Sequence, residues 1–373
     1  MNRKRFITAG LGSLVGVMGY RYGFTPLAKP GHGHGTVSQK MGSGWTPLAG
    51  SGAEEITVPP PAELHLAVVL INFTNDLSQP WTIAQARTIA FDGPTSVASF
   101  YLEASYGKQS IFGDVYGWWT VPYDNTVCDT LAWKNAARQI ALDQGVNLDT
   151  DYDIVSLVWP RTAACPFNSR AGTFHNGDLK PYSLAHELGH SFHMNHANGW
   201  VCTDEGGNLV PLSTTCANHE YGDMYDVMGA ALKHFNGWEK VRLGWLDNTL
   251  TITESGQYTI SPLEWQPQDH PQTLFVPRVD GSMFAVEFRQ RFGFDQGNPS
   301  DFIFNGVLIR VAPVMSEQTA QTFLLDAHPG GSVGWFDSPF TPGETLTDPL
   351  GGVSITVVSV AATGAVVDVT VGG

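Results

Sequence analysis

Cysteine is scarce in this chain of 373 residues, which contains four: Cys128, Cys165, Cys202 and Cys216. No two of them form a Cys-x-x-Cys pair, which argues against a structural zinc site built on cysteine. Separated cysteines in even number favour two disulfides in an exported protein. By proximity in the sequence we expect the pairs Cys128–Cys165 and Cys202–Cys216. Since no cysteine precedes Cys128, a latency mechanism in which an N-terminal cysteine covers a metal is excluded.

Basic residues are also few, because 20 Lys and Arg stand against 35 Asp and Glu, a net charge of −15. No run of Lys and Arg forms a basic patch, so the composition argues against nucleic acid and against an anionic membrane surface as partners. Apolar residues make up 42% and charged residues 15% of the chain, as in an ordinary folded protein. The length suits two domains, each with its own core.

Long apolar runs are missing as well. The N-terminal run Phe6–Met18 follows the basic residues 3–5 and is too short and too weakly apolar for a good membrane span. A basic segment followed by an apolar one is the order of an export signal. We therefore expect residues 1–28 to be a signal peptide or export signal of a secreted protein, either extracellular or periplasmic. Residues 29–61 are rich in Gly, Pro and Ser and are predicted to be a linker or short pro-segment.

The most informative stretch is Ser183–Gly199, which reads SLAHELGHSFHMNHANG. It contains His186, Glu187 and His190 in the order His-Glu-x-x-His. On a helix the two histidines lie one turn apart on the same face, so both imidazoles can reach one metal ion. Zinc bound in this way keeps an open position for water, and Glu187 beside it is a candidate general base.

The third ligand has two histidine candidates. His193 lies on the same helical face, but it is about 10 Å from His186 along the axis of a straight helix. Two nitrogens that must each lie about 2 Å from one zinc ion cannot be held so far apart. His196 can reach the ion if the helix breaks near His193 and the chain folds back, so we expect His196 to be the third ligand.

Three segments of the chain resemble a known family. Residues 186–196 resemble the motif of the metzincin zinc proteases, H-E-x-x-H-x-x-G-x-x-H followed downstream by a Met-turn. Glu220–Gly229, EYGDMYDVMG, looks like the Met-turn region, and with Tyr101–Lys108, YLEASYGK, it is most similar to the gametolysin-type and immune-inhibitor-A-type secreted peptidases. The resemblance covers residues 63 to about 248. It implies zinc ligands at His186, His190 and His196, a general base at Glu187, and Met228 beneath the metal.

Two features depart from the pattern of that family. His193 stands where the family has a glycine, which permits a left-handed turn that a histidine adopts only at some cost. Either His193 adopts this conformation or the turn moves to Asn195. No Tyr stands at the second position after Met228, where some relatives have a fifth, tyrosine ligand. Tyr221 and Tyr225 are the alternatives for a hydroxyl that stabilises the transition state.

Apolar periodicity predicts an α/β (α+β) fold for residues 62–248, in which helices, including the histidine helix, pack on a mixed sheet. The resemblance implies that this region is a metzincin-like catalytic domain. Strands are predicted at 63–73, 111–121 and 153–159, and helices at 95–106, 130–144 and 182–192. Ala171–His175, just before the histidine helix, is a candidate for a sheet-edge strand that pairs with a peptide substrate, or for an irregular loop.

Residues 249–373 have the texture of a separate, sandwich-like all-β domain, because short strands alternate with Gly, Pro and Asp turns. Strands are predicted at 250–252, 257–260, 273–276, 283–289, 306–312, 321–325, 353–359 and 365–371. Asp295, Asn298 and Asp301 are candidate ligands for a structural Ca²⁺ ion. We expect this domain to pack on the catalytic domain or to position the substrate.

These features predict an exported zinc-dependent endopeptidase that acts on a protein or peptide, with no stable membrane span apart from the export signal. Glu187 would take a proton from water and pass it to the leaving amine. One alternative is a gluzincin-like zinc hydrolase with Glu205 or Glu220 as its third ligand. Another is a secreted binding or adhesion protein with an inert metal site.

Overall fold

The computed structural model describes residues 62–170, 174–265, 269–296, 301–315 and 321–372. All of the described residues belong to the same folded unit. The predicted export signal and linker, residues 1–61, lie outside the described residues.

The first part of the fold is a mixed sheet with helices on both faces. Its strands are β1 (Glu63–Phe73), β2 (Ser110–Val121), β3 (Ile154–Trp159), β4 (Ser169–Arg170) and β5 (Phe174–Asn176). Its helices are α1 (Ile83–Arg87), α2 (Val97–Ala104), α3 (Thr130–Asp143) and α4 (Pro181–Ser191), with a π-helical turn at Thr88–Asp92. The strand order is β2-β1-β3-β5-β4, and β4 alone runs antiparallel to its neighbour.

The central strand β1 explains why both faces of this sheet are covered. Its apolar run is buried almost throughout, and alternate side chains enter two different cores. Leu66 and Val68 pack in a cluster with residues of α2 and α4, whereas Val69 and Ile71 pack in a cluster with residues of α3. The histidine helix α4 is therefore fixed against one face of the sheet.

The second part of the fold is built mainly from strands. They are β6 (Ala197–Thr203), β7 (Leu209–Val210), β8 (Cys216–His219), β9 (Thr249–Thr251), β10 (Gly256–Ile260), β11 (Thr273–Pro277), β12 (Met283–Phe288), β13 (Val307–Ala312), β14 (Thr322–Leu325), β15 (Thr345–Thr347), β16 (Val353–Ala361) and β17 (Gly364–Val371). The short helix α5 (Gly237–Arg242) is the last α-helix among the described residues, and 3₁₀ turns follow at Gly293–Asp295, Asp301–Phe304 and Gly334–Asp337.

These strands form two sheets that pack on each other. One has four strands in the order β10-β17-β16-β15, and the other has eight, in the order β7-β6-β14-β13-β12-β11-β9 with β8 paired to β6. A shared apolar cluster contains Ile355 and Val367 from the first sheet and Phe284 and Ile309 from the second. The sandwich-like packing predicted for this region is thus present, although its larger sheet also contains β6, β7 and β8, which precede residue 248.

The mixed α/β class is confirmed, and the predicted strands and helices agree with the observed ones to within two residues at each end. Both predicted disulfides, Cys128–Cys165 and Cys202–Cys216, are present. From the sequence, residues 171–175 are candidates for an edge strand or an irregular loop, and Phe174 and His175 lie instead in the internal strand β5, which pairs with β3 on one side and with β4 on the other. Residues 171–173 lie outside the described residues. Within the described part of the chain, no helix is both long and apolar enough to cross a membrane.

Candidate metal centre

Helix α4 presents the first two histidines because its other face is held in the core. Pro181 occupies the first turn, where a missing N–H is tolerated, and Leu184 and Leu188 pack in the cluster beneath the sheet. The hydroxyl of Tyr101 on α2 donates a hydrogen bond of 2.7 Å to the carbonyl oxygen of Ala185. The helix is thereby fixed both by apolar packing and by a buried polar contact.

The end of α4 brings the third histidine back towards the first two. The N–H of His193 donates to the carbonyl of His190 at 3.0 Å, and the N–H of Met194 donates to the carbonyl of Gly189 at 3.1 Å. This pair of bonds is the Schellman arrangement that ends many helices, with its left-handed residue at His193, whose φ is 63°. Of the two predicted alternatives, His193 therefore makes the turn itself, and His196 follows on the returning chain.

His186, His190 and His196 converge. Their ring centroids are 4.8 Å apart for 186 and 190, 4.9 Å for 190 and 196, and 5.3 Å for 186 and 196. One nitrogen from each lies within 4.8 Å of the other two, and no other group of three His, Cys, Asp or Glu among the described residues is so placed. His186 is buried while the other two are half-buried, so the centre is open on the side of His190 and His196.

Each of the three rings has its Nδ1 engaged by an oxygen atom. The acceptors are the carbonyl of Val227 for His186 at 2.8 Å, the carbonyl of Met194 for His190 at 2.8 Å, and the carboxylate of Glu220 for His196 at 2.9 Å. Carbonyl and carboxylate oxygens only accept, so each Nδ1 carries the proton and each Nε2 presents a lone pair. This is the outer arrangement that orients histidines around a metal ion.

Burial keeps the imidazole of His186 neutral. Burial lowers the pKa of His186 to about 4. The hydrogen bond to Val227 raises this pKa, and the neighbouring His190 lowers it. A neutral imidazole is the form that binds a metal, so at neutral pH His186 needs no deprotonation before it can act as a ligand.

The predicted Met-turn packs directly under α4. Met228 is fully buried, and a β-carbon placed on Gly189 of the helix would lie 2.3 Å from its sulfur. The carbonyl of Met228 accepts a 3.0 Å hydrogen bond from the N–H of Ala197, the residue after the third histidine. Asp226 fixes the turn, because its carboxylate accepts from the N–H groups of Met228 and Asn236, each at 2.7 Å.

One of the two candidate tyrosines lies at this centre, and the predicted general base stands next to His186 in helix α4. Glu187 is buried, on the same helix as the first two histidines. Tyr221 has its ring centroid 4.0 Å from that of His196 and 5.7 Å from that of His186. Burial, followed by the charges of Glu220 and Glu187, raises the pKa of Tyr221 to about 12. Its hydroxyl therefore keeps its proton at neutral pH.

Tyr225, the other tyrosine, belongs to a different environment. It is fully buried in a cluster with Leu308 and Leu324, and its hydroxyl donates to the carbonyl of Phe336 at 2.6 Å. Its role in the structure is packing with a satisfied hydroxyl. The sequence offers no signal for this, because Phe336 lies more than a hundred residues away.

The two glutamates considered as alternative ligands lie outside the histidine group. Glu205 is exposed in the turn between β6 and β7, and Glu220 contacts the far side of the His196 ring. Sequence reasoning missed this second role of Glu220, although the residue stands at the start of the segment that resembles the Met-turn.

Of the three candidate calcium ligands, Asp295 is the one whose side chain is described. Asp295 is fully buried, and its carboxylate is 2.6 Å from the guanidinium of Arg289 while it also accepts the N–H of His234 at 3.0 Å. Asn298 and the side chain of Asp301 lie outside the described residues. Asp295 is thus engaged in a buried ion pair.

Comparison of the chain with protein-family models and with curated proteins finds no match.

Proposed function

We propose that this protein is an exported zinc-dependent endopeptidase with a metzincin-like catalytic region at residues 62–248. The observation that carries the proposal is the convergence of His186, His190 and His196, all with Nε2 presented, with the buried residue Glu187 next to His186 in helix α4. A purely structural helix would gain nothing from this arrangement on the face turned away from its core.

The donor set fits zinc. Three imidazoles are the ligands of many catalytic zinc sites and leave a fourth position open, and imidazole nitrogen suits a borderline ion better than it suits calcium or magnesium. A metal-binding histidine also needs a partner for its other ring nitrogen, and the oxygen acceptors at the three Nδ1 atoms supply it. The carboxylate of Glu220 is hydrogen-bonded to Nδ1 of His196, the nitrogen that faces away from the proposed ion, and this favours His196 rather than Glu220 as the third ligand.

Zinc, when bound, supplies the Lewis acidity that polarises the scissile carbonyl and lowers the pKa of water. The residues of the chain supply the proton transfers. Glu187 accepts a proton from the attacking water as the new C–O bond forms, and it returns that proton to the amine nitrogen as the C–N bond breaks. Tyr221, protonated at neutral pH and lying against His196, is the better placed of the two tyrosines to donate to the developing oxyanion.

Export is supported by the order of charge and apolarity in residues 1–28 and by the two disulfides, which are typical of oxidising compartments. The β-rich region after residue 249 shares a sheet with β6, which begins at the residue after His196. We therefore assign it a role in supporting the catalytic region and positioning a protein or peptide substrate.

The test combines metal analysis with cleavage of denatured protein and a peptide library, for wild type, Glu187→Gln and His196→Ala. We expect wild type to hold one zinc ion and to cleave. Glu187→Gln should keep the zinc and lose at least about 100-fold in rate, because a general base contributes about 10²–10⁴-fold.

His196→Ala should lose stoichiometric zinc. Full zinc and activity in His196→Ala would rule out the ligand assignment. A zinc-loaded wild type that cleaves nothing and behaves like Glu187→Gln would instead support a secreted binding protein with an inert metal site.

A further inference from the structure

We infer that Glu220 is a positioning residue of the metal centre, whose carboxylate fixes the His196 ring and so sets how tightly the ion is held. The inference rests on the proposed metal site. Glu220 Oε1 lies 2.9 Å from Nδ1 of His196, on the side of the ring opposite the nitrogen presented to the ion. Its role is therefore to orient a ligand rather than to be one.

His196 needs such a partner more than the other two ligands do. His186 and His190 project from the rigid helix α4, and each is bonded to a backbone carbonyl. His196 stands after the helix has ended, beyond the left-handed turn at His193 and just before β6. Its acceptor is a side-chain carboxylate, so the position of its ring depends on a residue that can be changed without altering the backbone.

The chain around Glu220 is held to the same strand that follows His196. Strand β8 ends at His219, which pairs with Gly199 of β6. On the other side, the N–H of Tyr221 donates to the side-chain oxygen of Asn198 at 3.1 Å. Both neighbours of Glu220 are thus fixed to residues within three positions of His196, and the Tyr221 ring packs on His196 itself, with the centroids 4.0 Å apart.

The size of the effect follows from exposure. A carboxylate that accepts from the distal nitrogen raises the basicity of the ligating nitrogen and fixes the ring, and loss of such partners weakens metal binding by about 10–100-fold. The Glu220 side chain is 63% exposed, whereas that of His196 is 19% exposed. Water screens the interaction on the Glu220 side, so we expect the lower half of that range.

The experiment measures the zinc affinity of the full-length, disulfide-bonded protein by competition with a chromophoric chelator. Glu220→Ala should bind zinc about 10-fold more weakly than wild type. Glu220→Gln should lose less, because its amide oxygen still accepts from Nδ1. Glu205→Ala is the matched control, an exposed glutamate on the neighbouring hairpin, and should bind as wild type does.

A second measurement is the visible absorption spectrum of the Co²⁺-substituted proteins. Glu220→Gln should give the spectrum of wild type, since the three nitrogens are unchanged. Wild-type affinity in Glu220→Ala would overturn the inference while leaving the metal centre in place. Loss of zinc in Glu220→Gln as complete as in His196→Ala would overturn it in another way, because Glu220 would then be a ligand. A wild type that binds neither ion would refute the proposed function itself.

Discussion

His193 adopts a strained backbone conformation at the turn that brings His196 back towards His186 and His190. It occupies the left-handed position at the helix end, with a φ of 63°. For a residue with a β-carbon this conformation costs about 1–2 kcal/mol. Glycine removes that cost but loses about 0.5–1 kcal/mol through its greater freedom in the unfolded chain. We therefore expect His193→Gly to raise the free energy of unfolding by roughly 0.5–1 kcal/mol, measured by urea denaturation with a chelator present.

Two variants control this prediction. His193→Ala keeps the β-carbon and should give no such gain. Asn195→Gly, two residues on at an exposed position without a positive φ, should lose about 0.5–1 kcal/mol. Stabilisation by Asn195→Gly as large as that by His193→Gly would mean that the strain is not localised at His193. Zinc stoichiometry should be unchanged in all three, because neither His193 nor Asn195 belongs to the group of converging histidines.

At the scale of an element, helix α4 has glycine rather than alanine at position 189, because the side chain of Met228 packs against it there. Gly189 lies inside α4, where alanine normally stabilises by about 1 kcal/mol. A β-carbon there would stand 2.3 Å from the sulfur of Met228, which is fully buried. We expect Gly189→Ala to destabilise the protein by about 1–3 kcal/mol, the range for an overpacked core, in the same denaturation experiment.

A double-mutant cycle with Met228→Ala separates this contact from helix propensity. Met228→Ala alone should destabilise by about 2–5 kcal/mol, because it opens a cavity. In that background Gly189→Ala should be nearly neutral or stabilising, which gives a coupling of at least about 1 kcal/mol. Additive effects of the two substitutions would show that Met228 does not fill the space beside Gly189.

Features that depend on residues close together in the sequence could be predicted from it, whereas features that depend on contacts between distant segments could not. Strand β1 and helix α3 have strong local periodicity, and His186 and His190 share a face through helical spacing alone, so each was predictable. Strand β6 was missed, since its parallel neighbour β14 lies far along the chain.

The environments of the tyrosines were also beyond local reasoning. Tyr221 and Tyr225 stand four residues apart, and the sequence gives no reason to prefer either as a functional hydroxyl. Tyr221 packs on His196, whereas Tyr225 donates a hydrogen bond to the carbonyl of Phe336. Glu220 likewise meets His196 across 24 positions of sequence. Each of these contacts requires the pairing of distant segments, which no local pattern encodes.

At the scale of the whole molecule, the β-rich region packs against the strands next to the candidate metal centre. The Trp335 ring covers Gly199, since a β-carbon on that glycine would lie 2.5 Å from it, and it stacks on His219 with the centroids 5.7 Å apart. Gly199 and His219 are the paired residues of β6 and β8 that flank the Glu220 contact. Trp335, from beyond position 249, therefore packs on the two strands whose ends adjoin His196 and Glu220.

A buried polar chain also joins distant parts of the molecule. Lys240, fully buried on α5, donates to Nδ1 of His234 at 2.9 Å and to the hydroxyl of Tyr106 at 3.1 Å. His234 in turn donates from Nε2 to the carboxylate of Glu103 at 2.9 Å. Burial, and after it the charge of Arg289, lowers the pKa of Lys240 to about 7. The nearby carboxylates raise this pKa but do not outweigh the burial; they belong to Glu264, Asp295 and Glu287.

This low pKa makes the stability of the fold depend on pH. Between pH 7 and the ordinary lysine value of 10.5, the unfolded chain binds a proton at Lys240 that the folded chain does not. Stability should therefore rise with pH across this window, by up to about 1.4 kcal/mol per pH unit from this group, and as pH falls from 10.5 the loss should be complete at about pH 7, below which both states bind the proton. Urea denaturation at pH 7, 8, 9 and 10 measures the slope, and Lys240→Met should remove this contribution.

The matched control is Lys108→Met, because Lys108 forms an exposed ion pair with Asp247, with side-chain exposures of 43% and 86%. Its free energy of unfolding should follow the same pH slope as wild type. The comparison rests on slopes rather than on absolute stabilities, since Lys240→Met also leaves Nδ1 of His234 without its donor. Parallel pH profiles for wild type and Lys240→Met would show that Lys240 stays charged in the fold, and that the carboxylates around it outweigh its burial and Arg289.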